Sequence, residues 1–194
     1  MSAILDEPAV RRAVWPVSVE FYHELGRLGV LDRRVELLDG IIVTKMSKSP
    51  LHASVVRRLA KLIAATLGPG EELLREDPLT LETSEPEPDL AVVLGQESDF
   101  QTRHPSSAQL VVEVAVTSVE IDRRKAAIYG RAAVPEYWLV EPESRRITVF
   151  RNPTPLGYDS EQLLEAGDTL TSQVIPGLSF RVGDLDALAA KRRP

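Results

Sequence analysis

Glu113 is the one charged residue in the run Leu110-Val111-Val112-Glu113-Val114-Ala115-Val116. So apolar a strand belongs at the centre of a sheet, with both faces covered. A carboxylate there without a partner costs several kcal/mol or takes up a proton. Glu113 therefore needs a counter-charge, a hydrogen-bond network or a metal ion, and a structural salt bridge is the simplest of these. Asp89 opens a second apolar strand, directly after the turn Glu85-Pro86-Glu87-Pro88. Alone it is ordinary, since acidic residues often stand beside turns. Alternation, however, puts Asp89, Ala91 and Val93 on one face of their strand, and Val111, Glu113 and Ala115 on one face of theirs. If the two strands pair, both carboxylates project to the same side. Two carboxylates a few ångströms apart repel unless a proton or a cation lies between them. An oxygen-only site favours hard cations such as Mg²⁺ or Mn²⁺.

Lys125 is the third element. On a helical wheel Ile121, Lys125, Ile128, Tyr129 and Ala132 follow the spacing of a buried stripe, while Arg123, Arg124, Ala127 and Arg131 lie opposite. Lys125 is thus aimed at the sheet and needs an anionic partner, and Glu113 comes from the strand that feeds this helix. The competing outcome is a lysine that carries its ammonium out to the edge. Two further residues are candidates. His52 falls on the inward face of a helix, where it is either a site residue or a satisfied core or capping histidine. Glu36 lies in a strand and is either a site carboxylate or an exposed strand position. Aspartate, glutamate and lysine converging on a sheet suit metal-dependent phosphodiester hydrolysis. The carboxylates would hold the metal, and the lysine would orient or deprotonate water or stabilise transition-state charge.

Elements that position these groups can be read along the chain. Ser18 is a plausible N-cap for a helix to about Leu28. Strands over 35–38 and 41–45 flank Asp39-Gly40, a strong hairpin signal. Ser49-Pro50 reads as the start of a second helix, closed by Gly68-Pro69-Gly70. Strands are expected over 73–76, 79–83, 90–94 and 109–116, with a polar loop over 95–108. Thr117-Ser118-Val119-Glu120 matches a capping box and opens a helix to about Ala133. A hairpin over 136–140 and 147–151 follows, then a third hairpin region over 157–173 and a short helix from Asp184. This order suits an α/β fold with a mixed sheet and helices packed against it.

The 194 residues suit one domain, with 1–17 as an irregular lead-in and 183–194 as a short C-terminal helix and basic tail. With 43% hydrophobic residues the chain can build a real core. The absence of cysteine excludes disulfides, thiolate zinc sites and cysteine nucleophiles and is compatible with a cytoplasmic location. No apolar run approaches the roughly 20 residues of a membrane span, and the charged N-terminus has no signal-peptide pattern. The net charge of −6 does not argue for nucleic acid by itself. Lys45, Lys48, Arg57, Arg58, Arg123, Arg124, Arg145 and Arg146 could supply parts of a basic surface, although they are scattered along the chain.

Glu36-Leu37-Leu38-Asp39-Gly40, His52, Glu87-Pro88-Asp89-Leu90-Ala91-Val92-Val93, Val111-Val112-Glu113-Val114, then Asp122, Lys125, Tyr129 and Val134-Pro135-Glu136-Tyr137-Trp138-Leu139-Val140 together resemble the Uma2 family. That family is grouped with the PD-(D/E)XK restriction-endonuclease-like proteins, and the resemblance covers about 18–182. It implies a restriction-endonuclease-like core with extra β-hairpins and the acidic site at one edge. It implies Pro88-Asp89 as the PD element and Glu113 as the second acidic residue, with Glu36, His52, Asp122 and Tyr129 in support. The lysine of the wider superfamily would stand two residues after the glutamate, where this chain has Ala115; Lys125 resembles a displaced version of it. By the same resemblance the chain is expected to be a Mg²⁺- or Mn²⁺-dependent endonuclease acting on DNA, with a homodimer or higher homo-oligomer as the form that could cut both strands. The alternatives are a non-catalytic nucleic-acid-binding or regulatory protein that keeps the fold, and a purely structural Glu113–Lys125 pair.

Overall fold

Asp39 and Gly40 adopt φ of 48° and 73°, the pair of left-handed conformations that a tight hairpin turn demands. They join β1 (Val35–Leu38) to β2 (Ile41–Thr44) in antiparallel register, with Leu38 opposite Ile41. The computed structural model describes residues 8–32 and 34–186, and this hairpin stands apart from the main sheet. Before it lie α1 (Pro8–Ala13) and α2 (Val19–Arg27), the latter capped by the Ser18 hydroxyl on the Phe21 N–H.

Among the described residues six strands build the main sheet: β3 (Glu71–Leu74), β4 (Leu90–Leu94), β5 (Leu110–Val114), β6 (Glu136–Glu141), β7 (Arg146–Thr154) and β8 (Gly157–Glu165). They lie side by side in chain order. All neighbours are antiparallel except β5 and β6, which run parallel. A parallel pair requires a crossover, and α4 (Val119–Arg131) is that crossover. The two faces of the sheet are both covered. On one, Val112, Val114, Trp138 and Val140 pack with Val55, Leu59 and Ile63 of α3 (Pro50–Ala64). On the other, Val111, Ala115, Leu139 and Phe150 pack with Ala126, Ile128 and Tyr129 of α4. The helix α4 approaches so closely that a Cβ on Gly130 would stand 2.0 Å from the Gly157 carbonyl oxygen.

The register of β4 on β5 positions the site. Leu90 pairs with Val112, so the next antiparallel step sets Asp89 opposite Glu113. Alternation then turns Glu113 to the α4 face with Val111 and Ala115.

The mixed sheet flanked by helices is the expected fold class, but several expectations need correction. The lead-in over 1–17 contains α1; residues 1–7 lie outside the described residues. The segment 79–83 is not a strand. Leu79, Thr80 and Leu81 donate their N–H groups to the Pro86, Pro105 and Ser84 carbonyls rather than to a neighbouring strand. Strand β3 begins at Glu71, earlier than expected, and Glu76 has a left-handed φ of 57°. The polar loop over 95–108 holds a 3₁₀ turn, Glu97–Phe100. The expected capping box over 117–120 does not form: the N-cap of α4 is Ser118, which makes no side-chain cap, and its hydroxyl donates to the Asp122 carboxylate. The region 157–173 is not a hairpin of its own. Its first part is β8, paired to β7, while β9 (Thr169–Thr171) pairs with β10 (Ser179–Arg181) in a separate two-stranded sheet. A 3₁₀ turn, Val182–Asp186, occupies the start of the expected C-terminal helix; the rest of that helix and the basic tail lie outside the described residues. No helix among the described residues is long and apolar enough to cross a membrane.

Candidate active site

Glu113 is only 4% exposed. Its Oε1 accepts hydrogen bonds from Lys125 Nζ at 2.9 Å and from the Tyr129 hydroxyl at 2.9 Å. Its Oε2 accepts a long bond, 3.4 Å, from the Asp89 N–H. Burial pushes the Glu113 carboxyl up to about 8; Lys125 opposes that rise, while Asp122, Asp89 and Glu36 add repulsion to it. A carboxyl in this state gains from any further positive charge brought beside it.

Lys125 is 4% exposed and does not reach for solvent. Its ammonium lies 2.9 Å from Glu113 Oε1, 3.0 Å from Glu36 Oε1 and 3.4 Å from Asp122 Oδ1. Burial alone would discharge it, but the attraction of Glu113, Glu36 and Asp122 wins and holds its pKa above the ordinary lysine value. The wheel thus placed Lys125 well, with one correction. Ile121 is not on the buried stripe but exposed at the start of the helix, and Asp122 takes the inward place. The Tyr137 hydroxyl donates to the Asp122 carbonyl at 2.8 Å, which pins this first turn to β6.

Glu36 is buried rather than exposed. Beyond Lys125 it reaches the chain beside Asp89, its Oε2 accepting the Glu87 N–H at 3.3 Å. Tyr129 is fully buried, and burial first, then Glu113, raises its pKa well above the usual phenol value. It therefore acts as a hydrogen-bond donor.

Asp89 is held from the other face of the sheet. Ser49 caps α3 by accepting the His52 N–H, and Pro50 occupies the first turn. This start turns His52 inward, where Nε2 lies 3.0 Å from Asp89 Oδ2. Nδ1 of His52 is buried and has no partner among the described residues, so the ring proton belongs on Nε2, donated to Asp89. The Val114 N–H also donates to Oδ2, at 2.8 Å. Burial would raise the Asp89 pKa, but the His52 bond, the Val114 N–H and Lys48 outweigh it and hold the carboxylate below its ordinary value.

Lys48 was foreseen only as part of a basic surface. Its ammonium lies 3.3 Å from Asp89 Oδ1 and 3.0 Å from Glu76 Oε1. It directly precedes the Ser49 cap, so the same helix start that aims His52 at one oxygen of Asp89 brings Lys48 to the other. Lys45, in the same loop, pairs with Glu87 at 2.6 Å.

These groups line a cleft of about 70 Å³. Five carboxylates face it, from Glu36, Glu87, Asp89, Glu113 and Asp122, against three ammonium groups, from Lys45, Lys48 and Lys125. Counted fully ionised, two negative charges remain. Among the described residues no three His, Asp or Glu already converge as a metal-holding group. The donor chemistry nevertheless fits a divalent cation: Asp89 Oδ1 and Glu113 Oε2 are hard oxygens, lightly bonded, on residues joined by the Asp89 N–H to Glu113 Oε2 bond, in a cleft where carboxyl groups outnumber ammonium groups. Two carboxylates with water completing the shell is a common arrangement for Mg²⁺.

The candidates Asp89, Glu113, Lys125, Glu36, His52, Asp122 and Tyr129 are therefore all brought together. None of the curated proteins compared with the chain matches it. The crystal structure described as "a putative nuclease belonging to DUF820 from Anabaena variabilis ATCC 29413" superposes with a TM-score of 0.72 at 14% identity. The match covers 89% of this chain and 98% of that one, and at such identity it speaks for the fold. A family model described as "Uma2: Putative restriction endonuclease" matches residues 19–185. The chain belongs to the Uma2 family.

Proposed function

We propose that this protein is a metal-dependent endonuclease that hydrolyses DNA phosphodiester bonds. The observation that supports it most is the convergence of Asp89, Glu113 and Lys125 in one acidic cleft whose carboxylates outnumber its ammonium groups by two. A polyanion would be repelled by such a cleft unless a cation were present. Asp89 and Glu113 would hold Mg²⁺ or Mn²⁺. When bound, that ion supplies Lewis-acid polarisation of the phosphate and a lowered pKa for water.

The chain's own residues then have separable tasks. His52 and the Val114 N–H fix Asp89 through Oδ2 and leave Oδ1 toward the cleft. Tyr129 fixes Glu113 through Oε1. Lys125, held charged by three carboxylates, serves as a donor that orients water or steadies negative charge on the phosphoryl group. Its raised pKa favours that task over removal of a proton. Cutting both strands suits a pair of subunits, and β8, at the sheet edge, is the strand that could join them.

A second reading keeps the fold without catalysis, as a nucleic-acid-binding or regulatory protein. It is favoured by the completeness of the ion-pair network: Lys125 already satisfies Glu113, and Lys48 already lies on Asp89. Calorimetric titration with Mn²⁺ separates the two. The endonuclease reading expects saturable binding by the wild type, lost in Asp89→Ala and in Glu113→Ala. A wild type that takes up no Mn²⁺ favours the second reading.

A further inference from the structure

Asp89 Oδ2 is fully engaged, by His52 Nε2 at 3.0 Å and by the Val114 N–H at 2.8 Å. Its other oxygen, Oδ1, is the one left for a cation, and Lys48 Nζ is already there at 3.3 Å. We propose that Lys48 is a displaceable placeholder, an ammonium that occupies the cation position of Asp89 and leaves it when a divalent ion binds. This inference rests on the metal-binding reading above.

The loop between β2 and α3 shows why Lys48, and not its neighbour, is built to move. Lys45 makes a 2.6 Å bond to Glu87 and has a side chain only 20% exposed. Its own N–H is tied to the Arg34 carbonyl at 2.7 Å. Lys48 is different. Its side chain is 36% exposed and its contacts are longer, with Glu76 Oε1 at 3.0 Å on the solvent side. Glu76 is half exposed, so the ammonium can keep this second partner, or water, after giving up Asp89. The backbone on its C-terminal side is anchored, because Ser49 caps α3. The flexible side chain can therefore leave without disturbing the helix that aims His52. Lys125 cannot play this part, being enclosed by three carboxylates at 4% exposure.

An ammonium and a divalent ion cannot both sit on Oδ1 at bonding distance, so Lys48 must raise the apparent dissociation constant for the metal. The test is calorimetric titration of the full chain with Mn²⁺, wild type against Lys48→Met, with thermal melts to show that both are folded. The expected result is tighter binding by Lys48→Met, by about threefold or more, in keeping with loss of a partly exposed ion pair. A second readout separates displacement from simple repulsion. Methyl-labelled lysines are followed by NMR as diamagnetic Mg²⁺ is added, with Lys45→Arg and Lys48→Arg used for assignment. The Lys48 signal is expected to move on binding while the Lys45 signal stays. Equal or weaker Mn²⁺ binding by Lys48→Met, or a Lys48 signal that does not respond, overturns the placeholder and leaves the metal reading standing. No Mn²⁺ binding by either protein overturns both.

Discussion

The Lys125 ammonium lies 2.9 Å from Glu113 Oε1, although the two residues belong to consecutive elements, the helix α4 and the strand that feeds it. The pair is not symmetric. Lys125 also serves Glu36 and Asp122, whereas Glu113 already tends toward its neutral form. Lys125→Met should therefore leave three carboxylates facing each other and cost about 3–5 kcal/mol. Glu113→Gln keeps the shape and should cost far less, about 1 kcal/mol, while abolishing metal uptake. Urea denaturation of both variants checks this. Equal, large losses would mean that the pair is structural.

The state of Glu113 also sets a pH dependence. Its carboxyl holds a proton up to about 8 in the folded chain, against 4.5 ordinarily. Between those values the folded state binds more protons than the unfolded one. This group's contribution to stability is therefore complete below the lower value and lost as pH rises through the upper one. Metal-free protein should weaken between about pH 5 and pH 8, and saturating Mg²⁺ should flatten that slope by compensating the carboxylate. Urea midpoints across the range, with and without Mg²⁺, measure it.

His52 bonds to Asp89, so under the metal-binding proposal its effect should be on positioning that carboxylate. Removing the Nε2 donor in His52→Ala frees Asp89 Oδ2 and loosens the carboxylate. Loss of such an outer partner lowers metal affinity by roughly 10–100-fold. Mn²⁺ affinity should fall by this order in His52→Ala and be largely rescued in His52→Gln, whose amide can donate to the same oxygen.

Gly130 lets α4 rest on the start of β8. An alanine there would bring Cβ to 2.0 Å from the Gly157 oxygen, a backbone atom that cannot swing aside. The helix must lift, at about 1–3 kcal/mol, and Lys125 rides on it. Gly130→Ala should lose both stability and Mn²⁺ affinity, seen in parallel melting and titration experiments.

Much of this site could be read from periodicity. Alternation, on the condition that the two strands pair, put Asp89 and Glu113 on one side, and the helical wheel turned Lys125 inward. Those signals work because buried strands and helices repeat their environment at fixed intervals. Lys48 sits in a loop, where nothing repeats, and only its place before the Ser49 cap hinted at the cleft. Residues 117–120 matched a capping box, yet the helix starts one residue later, at a Ser118 cap whose hydroxyl donates to the buried Asp122 carboxylate. Leu79, Leu81 and Thr83 alternate like a strand, but the N–H groups of Leu79, Thr80 and Leu81 are taken by the Pro86, Pro105 and Ser84 carbonyls of neighbouring loops. The pairing of β9 with β10 is a contact between separate segments, for which local spacing carries no sign.

The endonuclease proposal is tested most directly by strand cleavage. Supercoiled plasmid is incubated with wild-type protein and with Asp89→Asn, in Mg²⁺, in Mn²⁺ and in chelator. The expected result is nicked or linear DNA from the wild type only when a divalent ion is present, and none from Asp89→Asn. Cleavage that survives in Asp89→Asn, or a folded, Mn²⁺-binding wild type that cuts no DNA, would contradict it.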